Sequence, residues 1–145
     1  MTSCCLVLIA IVLAACSARI PYQPRNDVLT GLDAEAQRRA FAESLSRAIK
    51  PRIGGVWLSD DGFTFDYQRI VRDGFGIPVA AVSEHDVGIY FANIAQLDLY
   101  TNNAVFIVGT NGQVLFKVVF GSRSDAESFI DTASALKARR LADGS

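Results

Sequence analysis

Alternation of apolar and polar residues with a period of two dominates residues 53–120 and limits the folds open to the chain. Such alternation indicates strands with one buried face, separated here by turn-forming pairs such as Asn102-Asn103 and Asn111-Gly112. Because both positions of a two-residue Asn-Gly turn take positive φ, Asn111-Gly112 predicts a tight hairpin. Seven short strands are predicted, at residues 53–58, 63–73, 77–82, 87–91, 94–100, 104–108 and 114–120.

Two amphipathic helices flank these strands. The first is predicted over residues 32–50, with Asp33 as its N-cap and Pro51 as its stop, since the residue before a proline avoids helical geometry. The last helix is predicted to begin with a capping box of Ser124 and Glu127. Apolar residues recur at helical spacing in both, as Phe41, Leu45, Ala48 and Ile49 and as Ala126, Phe129, Ile130, Ala133 and Leu136.

This order of elements predicts an α+β fold that is mainly antiparallel β. We expect a small barrel or bent sandwich of about seven strands, with a C-terminal capping helix and an extra N-terminal helix. Pro78 predicts that its strand lies at a sheet edge. An open antiparallel sheet with both helices on one face fits the same list of strands.

Three stretches, residues 56–67, 89–108 and 114–137, make the chain resemble the pleckstrin-homology-like superfold, including its GRAM-like members. The resemblance covers residues 52–140, and the first helix lies outside it. It implies a single globular domain, residues 32–140 with that helix included, followed by a frayed tail at residues 141–145. The first hairpin of lipid-binding members is basic, whereas here it carries Asp60-Asp61-Gly62, which would repel an anionic headgroup.

The N-terminus carries an uncharged apolar run, residues 6–15, that ends in Leu13-Ala14-Ala15-Cys16. This motif resembles the lipobox of bacterial lipoproteins. The resemblance implies a signal peptide at residues 1–15, a diacylglyceryl group and palmitate on Cys16, and anchoring to a bacterial membrane. Ser17 takes the place of an Asp that would signal retention, so the family pattern implies the outer membrane, facing the periplasm. An ordinary cleaved signal peptide, with Cys16 incidental, remains the alternative.

Residues 16–31, which contain Pro21 and Pro24, are predicted to form a tether between the lipid and the domain. The net charge of −1 argues against nucleic acid as a partner, because phosphate binding needs a basic surface. All three cysteines lie at or before Cys16, so none is left for a disulfide or a thiolate metal site in the domain.

The sequence contains no recognisable catalytic or nucleotide-binding motif. His85 is the only histidine, and we expect it to lie in a solvated loop between Glu84 and Asp86. Asp60 and Asp61 supply too few oxygen ligands for a calcium ion. We therefore predict a protein that is not an enzyme, with no metal, no cofactor and no catalytic residue.

The aromatic residues give the only indication of a binding surface. Phe63, Phe65 and Tyr67 share one strand face, which is most simply the core face. Trp57 and the glycine-flanked Phe75 are candidate binding residues. The predicted function is a non-catalytic, lipid-anchored cell-envelope protein that acts as a protein-interaction or scaffold module. The alternative is a carrier that holds a small apolar ligand or lipid in the barrel or in the groove between helix and barrel.

Overall fold

The computed structural model describes residues 17–143. The predicted signal peptide and the predicted lipidation site, Cys16, lie outside the described residues. The α+β class with mainly antiparallel strands is confirmed, because every strand pair is antiparallel. The elements in chain order are β1 (Arg19–Ile20), α1 (Ala34–Ser46), β2 (Ala48–Lys50), β3 (Arg52–Leu58), β4 (Gly62–Arg72), β5 (Pro78–Tyr90), β6 (Ile94–Tyr100), β7 (Ala104–Gly109), β8 (Val114–Phe120) and α2 (Arg123–Asp143).

The strands of the described region form two sheets and not one closed barrel. The larger sheet has the order β1-β6-β7-β8-β2, and the smaller one has the order β3-β4-β5. The strand that begins at Pro78 is therefore an edge strand, as its proline predicted. The predicted helix at the C-terminal end is present as α2.

Phenylalanine rings fill the core between the sheets and the helices. Phe63 and Phe65 are buried, and Tyr67 is half-buried and packs against them, so their strand face is the core face as predicted. The Phe63 ring lies 4.8 Å from that of Phe41 on α1. The Phe129 ring on α2 lies 6.0 Å from Phe41, which joins both helices to the same aromatic cluster.

The two ends of the domain can be told apart by their contacts. One end, here called the proximal end, holds Ala18, Thr101, Phe120 and Ala48. The Thr101 N–H donates to the Ala18 carbonyl at 2.9 Å, and the Phe120 N–H donates to the Asn103 carbonyl in the same turn. Ala48 pairs with Phe120.

The distal end holds Asp61, Ile94 and Arg140. Arg140 forms an ion pair with Asp61, and Lys137 donates to the Ile94 carbonyl at 2.6 Å. Since α2 starts directly after Phe120 and carries Lys137 and Arg140 in its last turns, it spans the domain from the proximal to the distal end.

The predicted N-terminal helix is shorter than expected. Asp33 caps it as predicted, accepting from the Ala36 N–H at 2.8 Å, but the helix ends at Ser46 and not at residue 50. Ala48–Lys50 instead forms β2 and pairs with the edge of β8. The residues before Pro51 favour extended geometry, and the free edge of β8 supplies their hydrogen-bond partners.

Two strands predicted at residues 77–82 and 87–91 are one continuous strand, β5. A bulge opposite Phe65 and Tyr67 absorbs the residues between them, where Asp86 has a φ of 55° and its N–H bonds the Asp66 carboxylate at 3.0 Å. The predicted two-residue turn at Asn111-Gly112 is also not formed, because only Gly112 has a positive φ. Its loop is longer than two residues, because the Gly109 N–H closes it onto the Gln113 carbonyl.

The N-cap of α2 lies two residues earlier than the predicted capping box. Ser122, and not Ser124, accepts from the Asp125 N–H at 3.1 Å and donates its hydroxyl to the Asp125 carboxylate. Glu127 instead pairs with Arg123 one turn away. The helix also continues to Asp143, so the predicted frayed tail at residues 141–145 is helical over its first three residues.

Residues 17–31, predicted to belong to a tether, pack against the domain in the structure. Arg19–Ile20 is β1, which pairs with the end of β6. Leu29 is 1% exposed, and Tyr22 is half-buried. Proline and polar residues suggested a flexible linker, but a buried carboxylate on α2 holds this segment against the domain through contacts over more than a hundred residues of sequence.

Candidate functional surfaces

Trp57 lies on the outer face of the three-stranded sheet, close to the distal end. It pairs with Thr64, which points away from the core because its neighbours Phe63 and Phe65 point inward. The indole is 52% exposed and rests on Gly55, where an added Cβ would lie only 2.4 Å from the ring. Because Gly55 has no side chain, the ring packs directly on its backbone, and about half of Trp57 stays exposed.

Tyr90 extends this exposed aromatic surface. It pairs with Gly62, which lies on the same outer face as Thr64, and it is 62% exposed. Sequence reasoning missed Tyr90, because its exposure depends on the continuous β5 and not on a local pattern. Trp57 and Tyr90, with Thr64 and Gly88 between them, form what we call the outer aromatic face.

Phe75 belongs to a different surface. Residues 68–83, here called the arm, are the outer half of the β4–β5 hairpin, and none of these residues is buried. The arm begins at Gln68, the last residue of β4 that pairs with β3, where its partner is Arg52. It continues on the proximal side of that pair, because β4 runs from Gly62 at the distal end toward the proximal end.

The tip of the arm is a defined turn that presents Phe75 to solvent. The Asp73 carboxylate accepts from the N–H groups of Phe75 and Ile77, both at 2.9 Å. Arg72 donates to the Gly76 carbonyl at 2.9 Å, and Gly76 has a φ of 79°, which favours glycine. Phe75 is 92% exposed as a result. The structure thus places the two predicted binding residues, Trp57 and Phe75, toward opposite ends of one sheet.

Asp131 is the most highly connected polar residue in the described region. Its carboxylate is 1% exposed and accepts from the Tyr22 hydroxyl at 2.8 Å, the Arg25 backbone N–H at 2.9 Å and the Arg25 guanidinium at 2.8 and 2.9 Å. Burial and the adjacent carboxylate both raise the pKa of Tyr22. We call Asp131, Tyr22 and Arg25 the Asp131 clamp. Their contacts attach residues 17–31 to α2.

Two surface cavities adjoin the N-terminal segment and the helix ends. One, of about 510 Å³, lies between residues 19–23 and β6 and is bordered by Asp98, whose carboxylate lies 2.7 Å from the Arg19 guanidinium. The other, of about 360 Å³, lies between α1, the Ser59–Asp60 turn and the end of α2, and includes Arg38 and Arg140. Both have charged residues in their walls, a poor match to the apolar pocket that a carrier of lipid needs.

His85 does have a partner that the sequence did not predict. Its Nδ1 lies 3.2 Å from the Asp66 carboxylate, which the bulge of β5 brings alongside. The backbone N–H of Asp86, followed by His85, holds the pKa of Asp66 below its usual value. Glu84 points elsewhere and pairs with Arg69. Asp60 and Asp61 face Arg38 and Arg140, and within residues 17–143 no group of three or more metal-ligating side chains comes together.

Among residues 17–143, no helix has the length and apolarity needed to cross a membrane. No protein-family model, no curated protein and no solved structure matches the chain.

Proposed function

We propose that this protein is a non-catalytic lipoprotein of the bacterial cell envelope, whose pleckstrin-homology-like domain binds a protein partner. The lipobox-like Leu13-Ala14-Ala15-Cys16 supplies the anchor in this proposal. A three-stranded and a five-stranded antiparallel sheet, with α2 after the last long strand, suit a bent sandwich of that superfold. No chemistry is assigned to His85 and Asp66, and the alternative, a carrier of an apolar ligand, gains no support from a core filled with phenylalanine rings.

The observation that carries this proposal is the pairing of Ala18 with Thr101. The Ala18 N–H donates to the Thr101 hydroxyl at 3.1 Å, and the Ala18 carbonyl accepts from the Thr101 N–H at 2.9 Å. Cys16 precedes Ala18 by two residues, so the chain length limits its Cα to about 7 Å from the Cα of Ala18. An anchor there holds the proximal end against the membrane and turns the distal end toward the periplasm.

This orientation leaves the outer aromatic face available to a partner. Trp57 and Tyr90 lie toward the distal end, away from the anchor, and are more than half exposed. Tryptophan and tyrosine are enriched at the energetic centres of protein interfaces, because they bury a large apolar area and can still hydrogen-bond.

The anchor is tested by replacing Cys16 with serine. We expect Cys16→Ser to abolish incorporation of labelled palmitate, because serine has no thiol to receive the diacylglyceryl group. Cys5→Ser, a matched change within the predicted signal peptide, should leave the labelling intact. Labelling that persists in Cys16→Ser would show that the lipid is attached to a residue other than Cys16.

The partner surface is tested by photo-crosslinking in cells. A photoreactive residue in place of Trp57 should give one protein adduct of defined mass, and Tyr90→Ala should weaken that adduct because both residues lie on one face. The same probe in place of Leu115, which is 39% exposed on the other sheet, should give none. Identical adducts at both positions, or an adduct that Tyr90→Ala leaves unchanged, would contradict a role for the outer aromatic face.

A further inference from the structure

We infer that the arm is a second membrane contact, whose apolar tip enters the lipid headgroup region beside the acylated N-terminus. This inference rests on the proposed lipid anchor at Cys16, and it names the lipid surface as the occupant of the tip. Three observations support it: the end of the domain from which the arm extends, the exposed apolar residues at its tip, and the basic residues at its base.

The arm and the N-terminus lie toward the same end of the domain. Ala18 bonds Thr101, and Phe120 bonds Asn103 of the same turn, which defines the proximal end. Ala48 pairs with Phe120, and only four residues later Arg52 pairs with Gln68 at the start of the arm. Because β4 reaches this point from the distal end, its continuation carries the tip farther in the proximal direction.

The short connection to the proposed anchor limits how far the proximal end can lie from the bilayer. If residues 17–31 had been a flexible tether, the domain could stand well away from the bilayer. Instead the Asp131 clamp and β1 fix this segment on the domain, and Ala18 is hydrogen-bonded two residues after Cys16. Acyl chains on Cys16 would therefore hold the whole proximal end at the headgroups, within reach of the arm.

The tip offers the membrane an apolar surface that the folded chain does not cover. Four large apolar residues of the arm are more than half exposed: Ile70, Phe75, Ile77 and Val79. A contiguous exposed apolar patch on an otherwise soluble surface marks a site of interaction. The Asp73 turn holds Phe75 outward, so little conformational entropy is lost when the ring enters lipid.

The charges around the arm suit an anionic lipid surface. Lys50 and Arg52 lie at its base, and Arg69 and Arg72 lie along it. The acidic residues facing them are Asp73, which is engaged in the turn, and Glu84, which pairs with Arg69. Long basic side chains beside an apolar tip can reach the phosphates while the tip is buried.

The test uses the chain from Cys16 onward, which contains every residue that the structure describes. Its Cys16 thiol is its only one and can be coupled chemically to a single acyl chain. One such chain binds vesicles only weakly and reversibly, so a contribution from the arm is measurable as a change in the partition coefficient. Vesicles containing anionic phospholipid are the probe.

We expect Phe75→Ala to lower the partition coefficient about tenfold or more, the effect of leaving one phenylalanine side chain unburied. Leu115→Ala, which removes a partly exposed apolar residue near the distal start of β8, should leave it unchanged. A water-sensitive fluorescent amino acid incorporated in place of Phe75, which leaves Cys16 as the single thiol for acylation, should be quenched by brominated lipids. The same fluorescent residue in place of Ala92, near the distal end, should not.

Equal partitioning of the parent chain and Phe75→Ala, or a fluorophore at position 75 that stays in water, would overturn the inference. Burial of that fluorophore on native envelope membranes but not on protein-free vesicles would identify a protein as the occupant, and would overturn it as well. These results are independent of the proposed anchor, since the acyl chain is attached chemically. Failure of the anchor itself would appear only as the absence of palmitate on Cys16 in cells.

Discussion

Phe129→Ala is expected to lower the free energy of unfolding by about 3–5 kcal/mol, the cost of removing a large aromatic side chain from a packed core. Phe129 is 0% exposed and joins α2 to both of its neighbours in the core. Its ring lies 5.5 Å from Phe120 on β8 and 6.0 Å from Phe41 on α1. Urea unfolding should show a lower midpoint with the same m-value.

Glu127→Ala is the matched control on the same helix. Glu127 was predicted to complete the capping box, but its carboxylate pairs with Arg123 on the surface at 2.8 Å. Pairs of this kind contribute a few tenths of a kcal/mol, so we expect a loss of about 0.5 kcal/mol or less. Similar small losses for both variants would mean that α2 is not docked on the sheets.

The strands could be predicted well wherever alternation and turn residues agreed. The predicted boundaries of β6 and β8 coincide with the observed ones, and β7 is one residue longer than expected. Phe63 and Phe65 were placed on the core face because a period of two assigns alternate residues to one side of a sheet. Local pattern was sufficient because these strands bury residues of one face where they pack on the core.

The errors arose where a distant partner decided the local structure. Residues 48–50 have a helical spacing of apolar residues, yet the edge of β8 draws them into a strand and leaves Ile49 63% exposed. The cap of α2 is a local exception, because Ser122 with Asp125 and Ser124 with Glu127 have the same spacing and the helix starts from the first pair. The bulge at Asp86 depends on Asp66, which lies twenty residues earlier.

The candidate surfaces were predictable to different degrees. The glycines that flank Phe75 indicated an exposed turn, and the high exposure of its ring follows from that local chemistry. The docking of residues 17–31 had no such signal. Asp131 stands between Ile130 and Thr132 in α2, and its partners Tyr22 and Arg25 lie more than a hundred residues away.

Asp131→Ala is expected to lower the free energy of unfolding by about 2–4 kcal/mol, because hydrogen bonds to a buried charged group are the most costly to lose. It should also release residues 17–31 before the rest of the domain unfolds. Trypsin cleavage after Arg25 would report this release, since its rate follows the population of the opened segment. Asp143→Ala, which removes an exposed carboxylate from the same helix, should change neither measurement.

Removing the partners of Asp131 is a stricter test of the clamp. In Tyr22→Phe combined with Arg25→Ala, the carboxylate stays in place and loses the hydroxyl and the guanidinium that compensate for its burial. An uncompensated buried charge destabilises more than the absence of the charged group, so this double variant should unfold at lower urea than Asp131→Ala. The reverse order would mean that water reaches Asp131 once its partners are gone. The segment would then be held chiefly by β1 and Leu29, and the short connection between the proposed anchor and the domain would depend on those contacts.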